Sequence, residues 1–305
     1  MNIAMQTPPN AFSDMPVTGW IGRFAPRSVQ PYLRLMRLDR PIGIWLLLLP
    51  GWWSIALADG DGWTYALFGI GAVVMRGAGC TVNDIVDRDL DAQVARTAAR
   101  PLASGALRVR QAVGLLIGLL AIGCLVLVQF NGLTIALGVA ALPLVAIYPL
   151  MKRLTDWPQA WLGMTFNWGA LLGWTAVHDG IALPPILLYV AGLFWTLGYD
   201  TIYAHQDKDD DAIVGIRSTA LRLGRATKPA VGLFYGATAL LIAASAWTAG
   251  LGLWFWPLWA AAATHLAWQI ATLDIDNPAD CLAKFRANRV FGWIVLAALL
   301  AGSPL

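Results

Sequence analysis

Thr64-Tyr65-Ala66-Leu67-Phe68-Gly69-Ile70-Gly71-Ala72-Val73-Val74-Met75-Arg76-Gly77-Ala78-Gly79-Cys80-Thr81-Val82 runs straight into Asn83-Asp84-Ile85-Val86-Asp87-Arg88-Asp89-Leu90-Asp91. The first part is mostly apolar, and about 20 such residues cross a hydrocarbon core of roughly 30 Å. The second part places four carboxylates at what would be the water edge. If the helix continues through it, Asn83, Asp87 and Asp91 recur every four residues and share one face, with Arg76 two turns earlier on roughly the same side. Like charges at that spacing repel, so a face of carboxylates implies cations seated on it.

The rest of the chain repeats the first theme. Of 305 residues 58% are hydrophobic and 13% charged, against about 25% charged in soluble domains. Nine candidate spans run approximately over 42–58, 64–82, 111–129, 132–150, 158–177, 182–201, 229–248, 251–272 and 288–303. The 16 tryptophans suit the interfaces of such spans. The expected fold is therefore an all-α integral membrane protein of about nine transmembrane helices, occupying residues 31–305 behind a disordered cytosolic tail at 1–30.

Nineteen of the 21 Lys and Arg residues fall in the N-terminal segment or in the gaps after spans two, four, six and eight, and Arg289 stands at the very start of the ninth span. The positive-inside rule puts those segments in the cytoplasm. Only Arg76 falls in the interior of a span. The first 22 residues hold no Lys or Arg and no apolar core, unlike a secretory signal or an Arg-rich transit peptide. That favours a bacterial inner membrane, with the mitochondrial inner membrane as the alternative. A net charge of +3 gives no reason to expect nucleic acid as a partner. Three cysteines without metal-type spacing indicate neither a disulfide framework nor a zinc site.

All 18 acidic residues are aspartate, and nine lie in the two stretches 84–91 and 200–211. The second reads Tyr199-Asp200-Thr201-Ile202-Tyr203-Ala204-His205-Gln206-Asp207-Lys208-Asp209-Asp210-Asp211. On a helix Asp200, Tyr203, Asp207 and Asp211 would again share one face. Two such faces turned toward each other would make a cage of hard oxygen ligands, which Mg²⁺ prefers when a substrate phosphate supplies further oxygens. The competing reading is a pair of solvated charged loops. Against it, Asp84 and Asp200 lie at or near membrane depth, where ionisable groups default to function. A calcium loop fails, because Ala92 stands where that loop needs glycine. A third element, Tyr148-Pro149-Leu150-Met151-Lys152-Arg153, places a basic pair directly after span four. It reads either as topogenic or as an anion contact. His178 and His265 are scattered; His205 sits inside the second cluster.

Together these residues resemble the UbiA-type intramembrane aromatic prenyltransferases, and within them the branch acting on 4-hydroxybenzoate in ubiquinone synthesis. The carriers are Leu35-Met36-Arg37-Leu38-Asp39-Arg40-Pro41-Ile42-Gly43, the NDxxDxxxD run from Asn83 with Arg96-Thr97 and Arg100-Pro101 after it, the tyrosine–proline segment ending in Lys152-Arg153, and the run from Tyr199 followed by Gly215-Ile216-Arg217-Ser218-Thr219. The resemblance implies helices around a central cavity open sideways to lipid, with Mg²⁺ as cofactor. Carried over by position, Asn83, Asp87 and Asp91 form one metal–diphosphate set and Asp207 and Asp211 the other. Asp84 and Asp200 become close supports, and Asn167 and Trp168 cavity lining. Lys152 and Arg153 would contact the diphosphate or the acceptor, Arg37 an anionic group, and Arg76, Tyr148 and Tyr203 the substrates. The substrates implied are a polyprenyl diphosphate and 4-hydroxybenzoate, met within the bilayer, with no protein partner. A different acceptor (homogentisate, a naphthoate, haem or a lipid alcohol) is the nearest rival. An ion-coupled transporter fits less well, since its ionisable groups should lie at the bilayer midplane.

Overall fold

The computed structural model describes residues 19–93, 97–206, 208, 215 and 217–303, and their regular structure is helical throughout. In chain order the helices are α1 (Trp20–Phe24), α2 (Gln30–Leu35), α3 (Ile42–Leu57), α4 (Gly62–Asp91), α5 (Val109–Leu127), α6 (Gly132–Leu154), α7 (Pro158–Phe166), α8 (Gly169–Val177) and α9 (Leu183–Ala204). They continue with α10 (Thr219–Leu223), a 3₁₀ turn, α11 (Thr227–Thr248), α12 (Phe255–Thr272) and α13 (Pro278–Gly302).

Their ends follow local chemistry. Asn131 caps α6 by accepting from the Thr134 amide, and Asn277 caps α13 by accepting from Ala279 and Asp280. Each cap satisfies amides that have no partner in the first turn. Pro158 and Pro278 occupy the first turn, where the missing N–H is harmless. Pro50, Pro143 and Pro149 lie inside helices, which membrane helices tolerate because neighbouring groups satisfy the freed carbonyls.

Every expected span lies on a helix, but among the described residues six helices, not nine, are long and apolar enough to cross a membrane. The expected fifth span is divided into α7 and α8 at Asn167 and Trp168. The ninth begins ten residues before its expected start, because the Asn277 cap and Pro278 start the helix early. Lys284 and Arg286 therefore ride on α13 rather than in a loop. Apolar side chains such as Ile117, Leu125, Leu233 and Leu240 are exposed, as hydrocarbon-facing positions of a membrane helix should be.

The chain forms two compact units, one running up to Pro41 and from Val73 to Cys124, the other comprising Ile42–Ala72 and Leu125–Leu305. In the first, Leu35, Leu102, Leu107 and Ala112 pack together beside Tyr32, Ile85 and Leu115, while Val74, Ala78 and Leu119 pack beside Met36.

The second unit is built around Trp53, Trp195 and Phe291, with ring centroids 5.0 Å apart for Trp53–Trp195 and 5.4 Å for Trp195–Phe291. Both indole N–H groups find acceptors, Trp53 the Gly292 carbonyl at 2.8 Å and Trp195 the Asn288 Oδ1 at 2.7 Å. Asn288 also donates to Gln269 Oε1 at 3.0 Å and to the Tyr235 hydroxyl at 3.2 Å. Gly173 permits a close crossing of α8 over α3, since a Cβ there would lie 2.5 Å from the Gly51 carbonyl oxygen. Small residues at such crossings let membrane helices gain packing contact.

Candidate functional site

In the first unit α4 continues unbroken to Asp91, so Asn83, Asp87 and Asp91 share a face as the four-residue spacing requires. Asp84 is 1% exposed, Asp87 0% and Asp91 7%. Buried carboxylates need compensation, and two arginines supply it to Asp84 and Asp91. Arg37 Nη2 donates to both oxygens of Asp84, at 2.7 and 3.0 Å. Arg100 Nη1 donates to Asp91 Oδ2 at 2.8 Å and lies 3.6 Å from Asp84 Oδ1. The other side of the helix is ordinary: Arg88 and Asp89 are exposed and pair with each other.

Two backbone features hold those arginines. Arg37 has φ +59°, a left-handed conformation uncommon for a long side chain and typical of places where the surroundings over-determine the backbone. Its amide donates to the Arg34 carbonyl at 3.0 Å. Beyond α4, the Thr97 hydroxyl donates to the Asp91 carbonyl at 2.8 Å and the Arg100 amide to the Thr97 carbonyl at 2.9 Å. The chain thus folds back onto the helix it has just left and delivers Arg100 to its last turn.

In the second unit Lys152 and Arg153 form the last turn of α6, with Tyr148 one turn earlier. Arg153 is exposed, and cations at a helix C-terminus are favoured by the helix dipole. The Arg217 amide donates to the Lys152 carbonyl at 2.9 Å, the Thr219 amide to Gln159 Oε1 at 3.1 Å, and the Thr219 hydroxyl meets that of Thr201 at 2.6 Å. Residues 217–219 therefore stitch the end of α6, the start of α7 and the last turns of α9 together. Asp200 and Tyr203 lie on those turns, the Tyr203 ring 4.4 Å from that of Phe285. His205 caps α9, and its Nε2 meets the Thr227 hydroxyl at 2.9 Å. Burial first, and the charge of Lys208 second, lower its pKa below 6.5 and favour the neutral ring. Asn167, buried at the break between α7 and α8, donates to the Gly163 carbonyl and to Thr196 Oγ1, each at 2.8 Å.

Asp207 and Asp211 lie outside the described residues, as does Arg96, so the expected second carboxylate face has no structural counterpart to report. Among the described residues no three His, Cys or Asp side chains form a metal-binding group. Hard oxygen donors are nevertheless what the first face offers, in Asn83, Asp87 and Asp91, while both Asp84 oxygens accept from Arg37. Arg37, expected to take an anionic group, donates through Nη2 to Asp84 and through Nη1 to the Arg34 carbonyl. Arg76 is half-buried on α4. Arg100 carries a contact that the sequence did not assign to it. The signals were its place in a short basic segment following the cluster and in the Arg100-Pro101 pair that carries the resemblance, neither of which spacing alone can connect to Asp91.

Residues 47–295 match the model of the UbiA prenyltransferase family. The chain is 50% identical over 289 residues to the mitochondrial 4-hydroxybenzoate polyprenyltransferase of Arabidopsis thaliana, covering 93% of this chain and 71% of that one. It is likewise 50% identical over 292 residues to the Homo sapiens protein of the same name, covering 92% and 77%. Among solved structures, a UbiA homolog from Aeropyrum pernix K1 has a TM-score of 0.72 at 26% identity, covering 84% of this chain and 96% of that one. A UbiA homolog from Archaeoglobus fulgidus bound to GPP and Mg²⁺ has a TM-score of 0.62 at 19% identity, covering 88% and 99%. With its helices, its buried NDxxDxxxD face and this match over most of its length, the chain belongs to the UbiA prenyltransferase family.

Proposed function

We propose that this protein transfers a polyprenyl group from a polyprenyl diphosphate to the ring carbon ortho to the hydroxyl of 4-hydroxybenzoate, an early step of ubiquinone synthesis. The observation that carries the reading is the 50% identity, over 289 and 292 residues, to relatives named for that activity. A shared fold alone would not support a substrate; identity of 50% over nearly the whole chain does.

Asn83, Asp87 and Asp91, with Asp207 and Asp211 of the second cluster, would hold Mg²⁺, whose preference for hard oxygen ligands suits them. The ion, when bound, supplies positive charge against the charge that develops on the departing diphosphate. Lys152 adds to that neutralisation. Arg153 pairs with the benzoate carboxylate, for which a guanidinium fork is the matching shape. Arg76, Tyr148, Asp200 and Tyr203 position the substrates, and apolar surroundings exclude water that would quench the allylic cation. The allylic C–O bond breaks, the ring carbon bonds to the freed prenyl carbon, and a ring proton is lost. The designation of the relatives as mitochondrial supports the mitochondrial inner membrane more than the bacterial one.

Purified membranes incubated with 4-hydroxybenzoate, prenyl diphosphates of several lengths and Mg²⁺ should yield a product with the mass of the acceptor plus one prenyl group less one hydrogen. Parallel reactions with homogentisate, a naphthoate, haem and a lipid alcohol should yield none. Prenylation of one of these and not of 4-hydroxybenzoate would overturn the acceptor.

A further inference from the structure

We infer that Arg100 is a positioning residue for Asp91, and that Asp84 is the buried anchor that holds Arg100 in place rather than an oxygen donor to a cation. The inference rests on the proposed metal–diphosphate role of Asp87 and Asp91, and extends it to the residues that aim them. Its ground is the distribution of hydrogen bonds. Asp84 accepts from Arg37 through both oxygens, at 2.7 and 3.0 Å. Arg100 Nη1 lies between Asp84 Oδ1 at 3.6 Å and Asp91 Oδ2 at 2.8 Å. One oxygen of Asp91 is thus claimed, which orients the carboxylate. Carboxylates that serve a cation have their orientation set by partners of this kind.

The arrangement is built rather than incidental. Arg37 reaches Asp84 from a left-handed backbone at φ +59°, and the segment bringing Arg100 is tied to the Asp91 carbonyl through the Thr97 hydroxyl at 2.8 Å. A buried ion pair adds little net stability beside a packed apolar substitute. Its value here lies in geometry: one carboxylate is committed to arginine so that another can be aimed.

The test uses the full-length protein in detergent or nanodiscs, with R100Q, R100K, D84N and D84N/R100Q. Mg²⁺ and a non-hydrolysable prenyl thiodiphosphate are titrated calorimetrically, and steady-state kinetics and thermal unfolding are measured alongside. R100Q should raise the Mg²⁺ concentration needed for half-maximal analogue binding about tenfold and raise KM for the prenyl diphosphate. KM for 4-hydroxybenzoate should stay within about twofold, the change expected where no direct contact is lost. R100K, which keeps a charge near Asp91, should recover part of the loss. D84N should shift Mg²⁺ dependence in the same direction, and the double variant should be no worse than the poorer single one, as for residues acting through one path. Unchanged Mg²⁺ dependence in R100Q or D84N, with only lowered thermal stability, would overturn the inference. If R100Q does not fold, R100K and D84N decide it by the same titration. Failure of the wild-type protein to prenylate 4-hydroxybenzoate would count against the acceptor assignment alone, because analogue binding reads Arg100 independently of it.

Discussion

Two buried polar regions of this molecule solve the same problem in opposite ways. At the end of α4, Asp84, Asp87 and Asp91 are buried carboxylates of one helix turn after another, and arginines reach Asp84 and Asp91 from other segments, one through a left-handed backbone. Around Asn288, neutral amides, a phenol and an indole satisfy one another with bonds of 2.7 to 3.3 Å. A neutral network can close on itself; a carboxylate face cannot, because its members share a sign. The first region is therefore the one that has capacity for a ligand, and the second is the one that joins α9, α11, α12 and α13.

Breaking the first region should have the largest effect. Asp87→Asn removes a charge from the buried face without changing its size and should lower turnover by on the order of a hundredfold or more. Unfolding temperature should change little, and an Asp87→Asn enzyme with near-normal turnover would sink the functional reading of this face. Arg153 tests charge outside that face, exposed at the end of α6. Arg153→Lys should raise KM for 4-hydroxybenzoate more than KM for the prenyl diphosphate, through loss of roughly 1.5–3 kcal/mol for a charge-assisted contact. Varying each substrate in turn checks it, and a selective rise for the diphosphate would reassign Arg153 to the leaving group.

In the neutral region the expected pattern inverts. Asn288→Ala strands Trp195 Nε1 and leaves the Tyr235 hydroxyl and Gln269 Oε1 with their mutual bond of 3.3 Å, and should cost about 1–2 kcal/mol, near the upper end for polar contacts between membrane helices. Thermal unfolding should report the loss while both KM values hold. The smallest effect belongs to Thr227→Val, which removes the partner of His205. About 0.5–1.5 kcal/mol of stability should go with that bond, and a change in Mg²⁺ dependence instead would give His205 a part in the chemistry.

The carboxylate face was legible because helical periodicity is a property of neighbours in sequence: once α4 continues past Val82, Asn83, Asp87 and Asp91 must align. The end of span four was harder to read, since Lys152 and Arg153 are polar enough to suggest a loop and yet close the helix, where its dipole welcomes them. The break at Asn167 was invisible for another reason. One amide in an apolar run hardly changes mean hydropathy, while in the structure it sits at the break with bonds to Gly163 and Thr196.

What the sequence by itself determined is the class of molecule and the period of its acids. Apolar runs of membrane length leave hydrogen-bonded helices as the stable backbone, and spacing then assigns faces. What only the tertiary structure decided is which acids are committed and to whom. Arg37 and Asp84 are 47 residues apart, Arg100 reaches Asp91 through a chain reversal, and a guanidinium chooses its carboxylate by distance in space. Loop closure fixes that distance, and no local pattern of residue types encodes it.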